Sequence, residues 1–352
     1  MIPQYEPSYP FTVSTALARY VADGGWCTEG PKTREFERSI AEYTGAKHCV
    51  VTTSGTMALT LAGIALGIGP GDEVIIPAYS MIATANAFRV LGASVRFADV
   101  EWETLCLDEH RVALTFTERT KAIVMVSANG RTPLHAWGAW GPLIIEDACQ
   151  SLGSRTADGT HVGRAGHCGA FSFSPHKIVS TGQGGACVTD NDDLADKLRR
   201  AKDFGRDSGG GDVHPHFGIN GKFTDLQAVV GLEQMAELPR RVERKRRMRQ
   251  LYARHFLSVP EARMYGWTEH STPWFIDILC DRRDELADHL REHGIGTRKM
   301  YPPIPHQESY RAGGSYPVAE NVGRCGLWLP SSLTLTDEEI ARVCETIREF
   351  YR

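Results

Sequence analysis

The chain has 352 residues, of which 42% are hydrophobic and 23% charged, and its formal net charge is -4. This is ordinary globular composition at a length that suits one large and one small domain, and the slightly acidic balance supplies no global field for nucleic acid. No apolar run approaches the roughly 18 residues of a membrane span, and the nine scattered cysteines, odd in number and without a C-x-x-C pair, argue against a disulfide framework or a metal site and fit a reducing cytoplasm.

The opening MIPQYEPSYPFTVSTALARY lacks the basic start and continuous apolar core of a signal peptide. Residues 29–45, EGPKTREFERSIAEYTG, put Phe36, Ile40 and Tyr43 at helical spacing and close on Gly45. KHCVVTTSGT then predicts a short apolar strand ending in a Ser-Gly-Thr turn, and MALTLAGIALGI a helix. GDEVIIPAY predicts a second buried strand, SMIATANAFRVLG a second helix, SVRFADV a third strand, and KAIVMVSA and PLIIEDA two more. Short β-branched runs alternating with helical segments predict an α/β fold with a largely parallel sheet wrapped by helices. From about residue 236 the texture changes: LPRRVERKRRMRQLYARHFL reads as a long basic helix, WFIDILC as a strand, and DELADHLREHGIG as a helix ended by glycine. The expected organisation is a large domain over 1–235, N-terminal arm included, and a smaller α+β domain over 236–352 with the long helix as its connector. The run RRVERKRRMR has no interleaved aromatics and sits in an acidic chain, so it reads as a solvated helix face.

Three stretches carry groups that chemistry could use. In TTSGTMAL a strand ends, Gly55 frees the backbone, and a helix begins near Thr56. Its free amides, with the Ser54 and Thr56 hydroxyls, suit a phosphate, and equally a plain N-capped turn. In PLIIEDACQSLG, Glu146 and Asp147 fall at the carboxyl end of a buried strand, where ligands of α/β sheets bind. A carboxylate there can keep a ring nitrogen protonated, and can also ligate a metal or cap a helix. In FSFSPHKIVSTGQGGACVTD the lone Lys177 stands between a strand-like run holding Ser172 and the glycines at 182, 184 and 185. A loop lysine is ordinarily a surface group; a desolvated one can form a Schiff base. Taken together, these parts are what pyridoxal phosphate requires: a helix N-terminus and hydroxyls for its phosphate, an acid for its ring nitrogen, and a lysine for its aldehyde.

The ordered set TEGPKTREFE, TTSGTMALTLA, GDEVIIPAYSMIATANA, IIEDACQSLGS, FSFSPHKIVSTGQGGACVTD, GINGKFTDLQAVVGLEQM, YPPIPHQESY and AENVGRCGLWLP covers nearly the whole chain. It resembles the DegT/DnrJ/StrS-type nucleotide-sugar aminotransferases. The resemblance implies the fold-type I (aspartate aminotransferase-like) architecture and pyridoxal 5'-phosphate, alternating with its amine form PMP, as cofactor. By the family pattern, Gly55, Thr56 and Ser172 would bind the cofactor phosphate. Asp147 would bond the pyridine nitrogen, Gln150 would lie near the ring's 3-hydroxyl, and Lys177 would form the Schiff base. Asn220 would reach the phosphate from a neighbouring subunit, which implies a homodimer with shared active sites. Thr28, Glu29, Tyr301 and His306 fall in segments that line the sugar pocket.

This chain also departs from the pattern. Met81 stands where an aromatic residue usually stacks on the ring, Gln183 where an acid is usual, and Lys222 where arginine is common, so a two-pronged carboxylate clamp there is lost. Residues 127–142, SANGRTPLHAWGAWGP, are shorter than the family's segment. The expected activity is transfer of an amino group from L-glutamate to a nucleotide-linked 4-keto or 3-keto deoxysugar, in the cytoplasm, with no metal, nucleic acid or membrane involved. The alternatives are amination of a cyclitol ketone or a nucleotide-free keto sugar, dehydration of a keto-deoxysugar, and a non-catalytic regulator.

Overall fold

The computed structural model describes residues 1–133, 141–207 and 211–352. In chain order the elements are α1 (Thr12–Ala22), α2 (Pro31–Thr44), β1 (His48–Thr52), α3 (Gly55–Ala65), β2 (Glu73–Pro77), α4 (Ala83–Arg89), β3 (Ser94–Ala98), α5 (Glu109–Thr115), β4 (Thr120–Val126), β5 (Leu143–Asp147), β6 (Cys168–Ser172) and β7 (Gly185–Thr189). Then follow α6 (Asp192–Lys202), α7 (Asp225–Ala236), α8 (Leu238–Phe256), β8 (Ala262–Met264), β9 (Ile276–Cys280), α9 (Arg283–Glu292), β10 (Arg298–Lys299), α10 (Pro317–Cys325), β11 (Gly326–Leu329) and α11 (Asp337–Phe350).

Seven strands form one sheet in the order β1-β7-β6-β5-β4-β2-β3. Strands β2 to β6 run parallel, and β7 alone is antiparallel to both of its neighbours. The expected α/β fold, with a mostly parallel sheet wrapped by helices, is the observed one. Strand β2 is buried along its whole length and β4 along all but one residue, as a sheet covered on both faces demands. The turns are written locally. Pro31 opens α2, and Gly45 ends it in the left-handed conformation at φ 75°. Ser54 caps α3 by accepting the Met57 N–H.

A second sheet has the order β10-β11-β9-β8. Its core gathers α8, α9 and α11, and also Ile2, whose bridge to Ile295 brings the N-terminal segment onto this sheet. The basic run on α8 differs from the solvated face that its composition predicts. Arg241 and Lys245 are buried; Arg241 donates to the carbonyls of Ser8 and Ile178, and Lys245 to those of Trp274 and Ser331. Long cationic stems run along apolar surface and end on carbonyls from distant segments, an outcome to which helical periodicity is blind. Among the described residues, no helix is long and apolar enough to cross a membrane, and the nine cysteines are free thiols.

Candidate active site

The parallel strands β4, β5 and β6 end at one edge of the large sheet, and the N-terminus of α3 starts beside them. Between this edge and the second sheet lies a cavity of about 350 Å³. Ser54, Gly55, Thr56, Met81, Thr84, Asp147, Gln150, Ser172, Lys177, Gln183, Trp274, Arg298 and Tyr301 are among its lining residues. A larger groove of about 850 Å³ beside α3 and α6 contains none of these groups.

Asp147 is the last residue of β5, and its carboxylate is held from two sides. The Thr84 hydroxyl donates to Oδ2 at 2.7 Å, and the Cys149 N–H donates to Oδ1 at 3.1 Å. Thr84 is itself fixed by Ser80, 2.9 Å away. Gln150 is orientated by a single bond: the Asn129 N–H points at Oε1 at 2.7 Å. A main-chain N–H can only donate, so the amide oxygen must face Asn129, leaving the NH₂ end as Gln150's free donor.

Lys177 is half-buried, and its Nζ makes no hydrogen bond or ion pair among the described residues. It lies 3.9 Å from the centre of the Trp274 ring. Burial pulls its pKa down to about 8, partly offset by neighbouring Cys149 and the Asp147 carboxylate, while the Arg298 charge adds to the lowering. An unpaired, desolvated amine facing a carboxylate-bearing cavity is the environment of a reactive lysine.

At the start of α3, Gly55 sits so close to its neighbours that any Cβ would force them to shift. A Cβ there would come 2.7 Å from Cys149 Sγ and 2.8 Å from Ser172 Cβ. The helix end is therefore drawn tightly against β6, with its free amides and the Thr56 and Ser172 side chains at the cavity wall.

Of the residues singled out in the sequence, Gly55, Thr56, Met81, Asp147, Gln150, Ser172, Lys177 and Tyr301 line this one cavity, as does Gln183. Thr28, Glu29, Asn220, Lys222 and His306 do not. Glu29 pairs with Lys202 at 2.9 Å, Lys222 with Asp203 at 2.7 Å, and His306 lies 3.7 Å from Glu320. Of the 127–142 segment, residues 134–140 lie outside the described residues. Thr84, Trp274 and Arg298 are site residues that the sequence reading missed. Thr84 stood inside a quoted motif without a role, and Trp274 and Arg298 come from the second sheet, about a hundred residues beyond Lys177, with no local signal.

The family model described as the DegT/DnrJ/EryC1/StrS aminotransferase family matches residues 13–348. GDP-perosamine synthase of Escherichia coli O157:H7 is 31% identical over 366 aligned residues, covering 99% of this chain and 98% of that protein. DesV of S. venezuelae superposes with a TM-score of 0.91 at 32% identity, covering 98% of both chains. Spr1654 of Streptococcus pneumoniae, solved in both PLP and PMP forms, superposes at 0.91 with 25% identity, its PLP form over 99% of this chain and 98% of that one. The donor set present here fits pyridoxal 5'-phosphate. A Cβ at Gly55 would force Cys149 or Ser172 to shift, the buried acid is pre-orientated, and the lysine has no hydrogen-bond or ion-pair partner among the described residues.

Proposed function

We propose, because the chain belongs to the DegT/DnrJ/EryC1/StrS aminotransferase family and uses pyridoxal 5'-phosphate, that it moves the amino group of L-glutamate onto the carbonyl carbon of a keto sugar, a nucleotide-linked 4-keto or 3-keto deoxysugar. The observation that carries this reading is the convergence of Lys177, Asp147 and Gln150 on one cavity. Support for the sugar class comes from relatives that match end to end and are named for nucleotide-linked sugars, GDP-perosamine and a TDP-sugar product.

When bound, the cofactor supplies an aldehyde that captures amines and a ring that takes up the electron pair left at the donor's α-carbon. The Gly55 and Thr56 amides and the Ser172 hydroxyl would hold its phosphate, Asp147 its ring nitrogen, Gln150 its ring oxygen, and Met81 one face. Lys177 would carry it covalently and, once released, move the proton at the donor's α-carbon. A pKa of about 8 leaves about a tenth of that amine neutral at pH 7, against a few parts in ten thousand at the ordinary 10.5. Lys222 is held by Asp203, whereas Arg298 lines the cavity with no acidic partner among the described residues. Arg298 is therefore assigned the donor's carboxylate.

Asn220 is exposed and lies outside its own chain's cavity. Phe217, on the same segment, is 72% exposed. Both support a homodimer in which Asn220 completes the neighbour's phosphate site. The free thiols support a cytoplasmic setting.

To test the function, the protein is loaded with the amine form of the cofactor and offered nucleotide keto sugars and cyclitol ketones. The expected result is return of the lysine-bound cofactor's visible absorption with a nucleotide keto sugar. Return only with a cyclitol ketone, or with no ketone, refutes the sugar assignment.

A further inference from the structure

Residues Ala128–Gly130 form one tight turn after β4, and Asn129 at its centre has φ 53° and ψ 29°. That left-handed conformation is one asparagine tolerates and most residues avoid. Asn129 is buried, and every polar group it carries is used. Its N–H donates to Gln150 Oε1 at 2.7 Å. Its side-chain NH₂ donates to the Phe275 carbonyl at 2.9 Å and to Asp277 Oδ2 at 2.7 Å, and its Oδ1 accepts the Phe275 N–H at 2.7 Å. Its own carbonyl accepts the Trp274 N–H at 3.3 Å.

These bonds join the two sheets. Gln150 follows β5 of the large sheet; Trp274, Phe275 and Asp277 enter and form β9 of the small one. The junction is tight: a Cβ on Gly130 would fall 1.9 Å from the Thr272 carbonyl oxygen. Arg131 locks it with two 2.8 Å bonds to the buried Asp277 carboxylate. What the clamp delivers to the cavity is Trp274. Its ring stacks on Phe275 at 3.9 Å, its indole N–H donates to the His176 carbonyl at 2.7 Å, and its face lies against Lys177 Nζ. The other charged or titratable groups acting on that amine are Cys149, Asp147, His176 and Arg298.

We propose that Asn129 is a positioning residue for amino transfer: its side chain fixes Phe275, on which the Trp274 ring stacks against Lys177, while its main chain accepts the Trp274 N–H and turns Gln150 toward the cavity. The idea rests on the reading that Lys177 carries the cofactor. Asn129→Gly is the informative variant, because glycine keeps the left-handed backbone and the main-chain bonds to Gln150 and Trp274 and removes only the side chain's hold on Phe275 and Asp277.

The holoenzyme's visible band is titrated with pH, and the donor half-reaction is followed in single turnover. Both Asn129→Gly and Trp274→Ala should let water reach Nζ. The band's midpoint should rise by half a unit or more, about threefold in the protonation equilibrium. The half-reaction should slow about tenfold or more with the donor's half-saturation concentration little changed. Ile347→Ala, in the core of the small sheet, serves as a control matched for loss of Tm and should leave the midpoint in place. An unmoved midpoint in Asn129→Gly, or an equal shift in Ile347→Ala, overturns the proposal. Borohydride reduction of the wild type separates the two levels. A label on Lys177 with an unmoved midpoint sinks the seating alone, whereas a label on another residue sinks the reading beneath it as well.

Discussion

Replacing Lys177 with methionine should make the cofactor-free protein more stable at neutral pH while abolishing the proposed chemistry. The amine is held at about 8 against its ordinary 10.5, with burial as the largest cause. When a folded-state pKa lies below the unfolded one, the unfolded chain binds more protons between the two values, so stability rises with pH from about 8 to 10.5. Below that window the protonated amine costs the fold its full amount; above it both states are neutral and the cost is gone. The gap is 2.5 units (10.5 minus 8), which at about 1.4 kcal/mol per unit bounds the cost at about 3.4 kcal/mol. Because the side chain is only half-buried and reaches the solvent of the cavity, about 1–2 kcal/mol is the expected size. Methionine keeps an unbranched chain without the charge. Urea unfolding of the cofactor-free wild type and Lys177→Met at pH 7 and at pH 10.5 measures the difference. The variant should gain about 1–2 kcal/mol relative to wild type at the lower pH compared with the higher one. A difference that does not change with pH would show that the fold does not strain the amine, and the desolvation argument would fall.

Three further outcomes are expected. Gly55→Ala drives a methyl against Cys149 and Ser172, which should cost about 1–3 kcal/mol of stability and weaken retention of the cofactor; thermal unfolding and absorbance after dialysis report the two effects. Thr84→Val removes the hydroxyl that donates to Asp147 Oδ2, and turnover should fall about tenfold, the worth of one hydrogen bond to a charged group, with cofactor content unchanged by absorbance. Arg298→Gln should raise the donor's half-saturation concentration about 10- to 100-fold and leave reductive trapping on Lys177 intact; an unchanged value in single-turnover titration removes the arginine from donor recognition.

The large sheet and its ligand-binding edge were legible because each strand, turn and helix there is written in neighbouring residues. Asp147 and Lys177 each end a recognisable run, and Ser54 and Gly55 mark a helix start within three letters. The wall opposite them was not legible. Trp274 enters the cavity because the turn at Asn129 grips the start of β9, a contact between residues 146 positions apart in the Asn129–Phe275 bond. Arg298 reads in sequence as one more basic residue. Lys222 and Glu29 show another limit: as charges in familiar motifs they look available, but each is paired with a neighbour whose approach only the fold reveals. Local grammar locates groups at the ends of elements, whereas partner capture and contacts between the two sheets require coordinates.

Lys177 and Lys245, both lowered in pKa by desolvation, show why perturbation alone does not find a reactive group. Lys245 is shifted further than Lys177, down to about 7 against about 8. A search by pKa would choose Lys245. Its ammonium, however, is engaged by the carbonyls of Trp274 and Ser331 at 2.8 and 2.5 Å, so two of its three donors are committed to holding the chain together. Lys177 Nζ has no acceptor among the described residues, an acid and an amide line the same cavity, and a glycine-bounded helix end is beside it. A desolvated amine held without an acceptor costs the fold free energy, and a bound group that took up the amine would recover that cost. Lys245→Met should therefore lower Tm and leave borohydride labelling on Lys177. If instead the label followed Lys245, hydrogen-bond engagement would be the wrong criterion for telling the two apart.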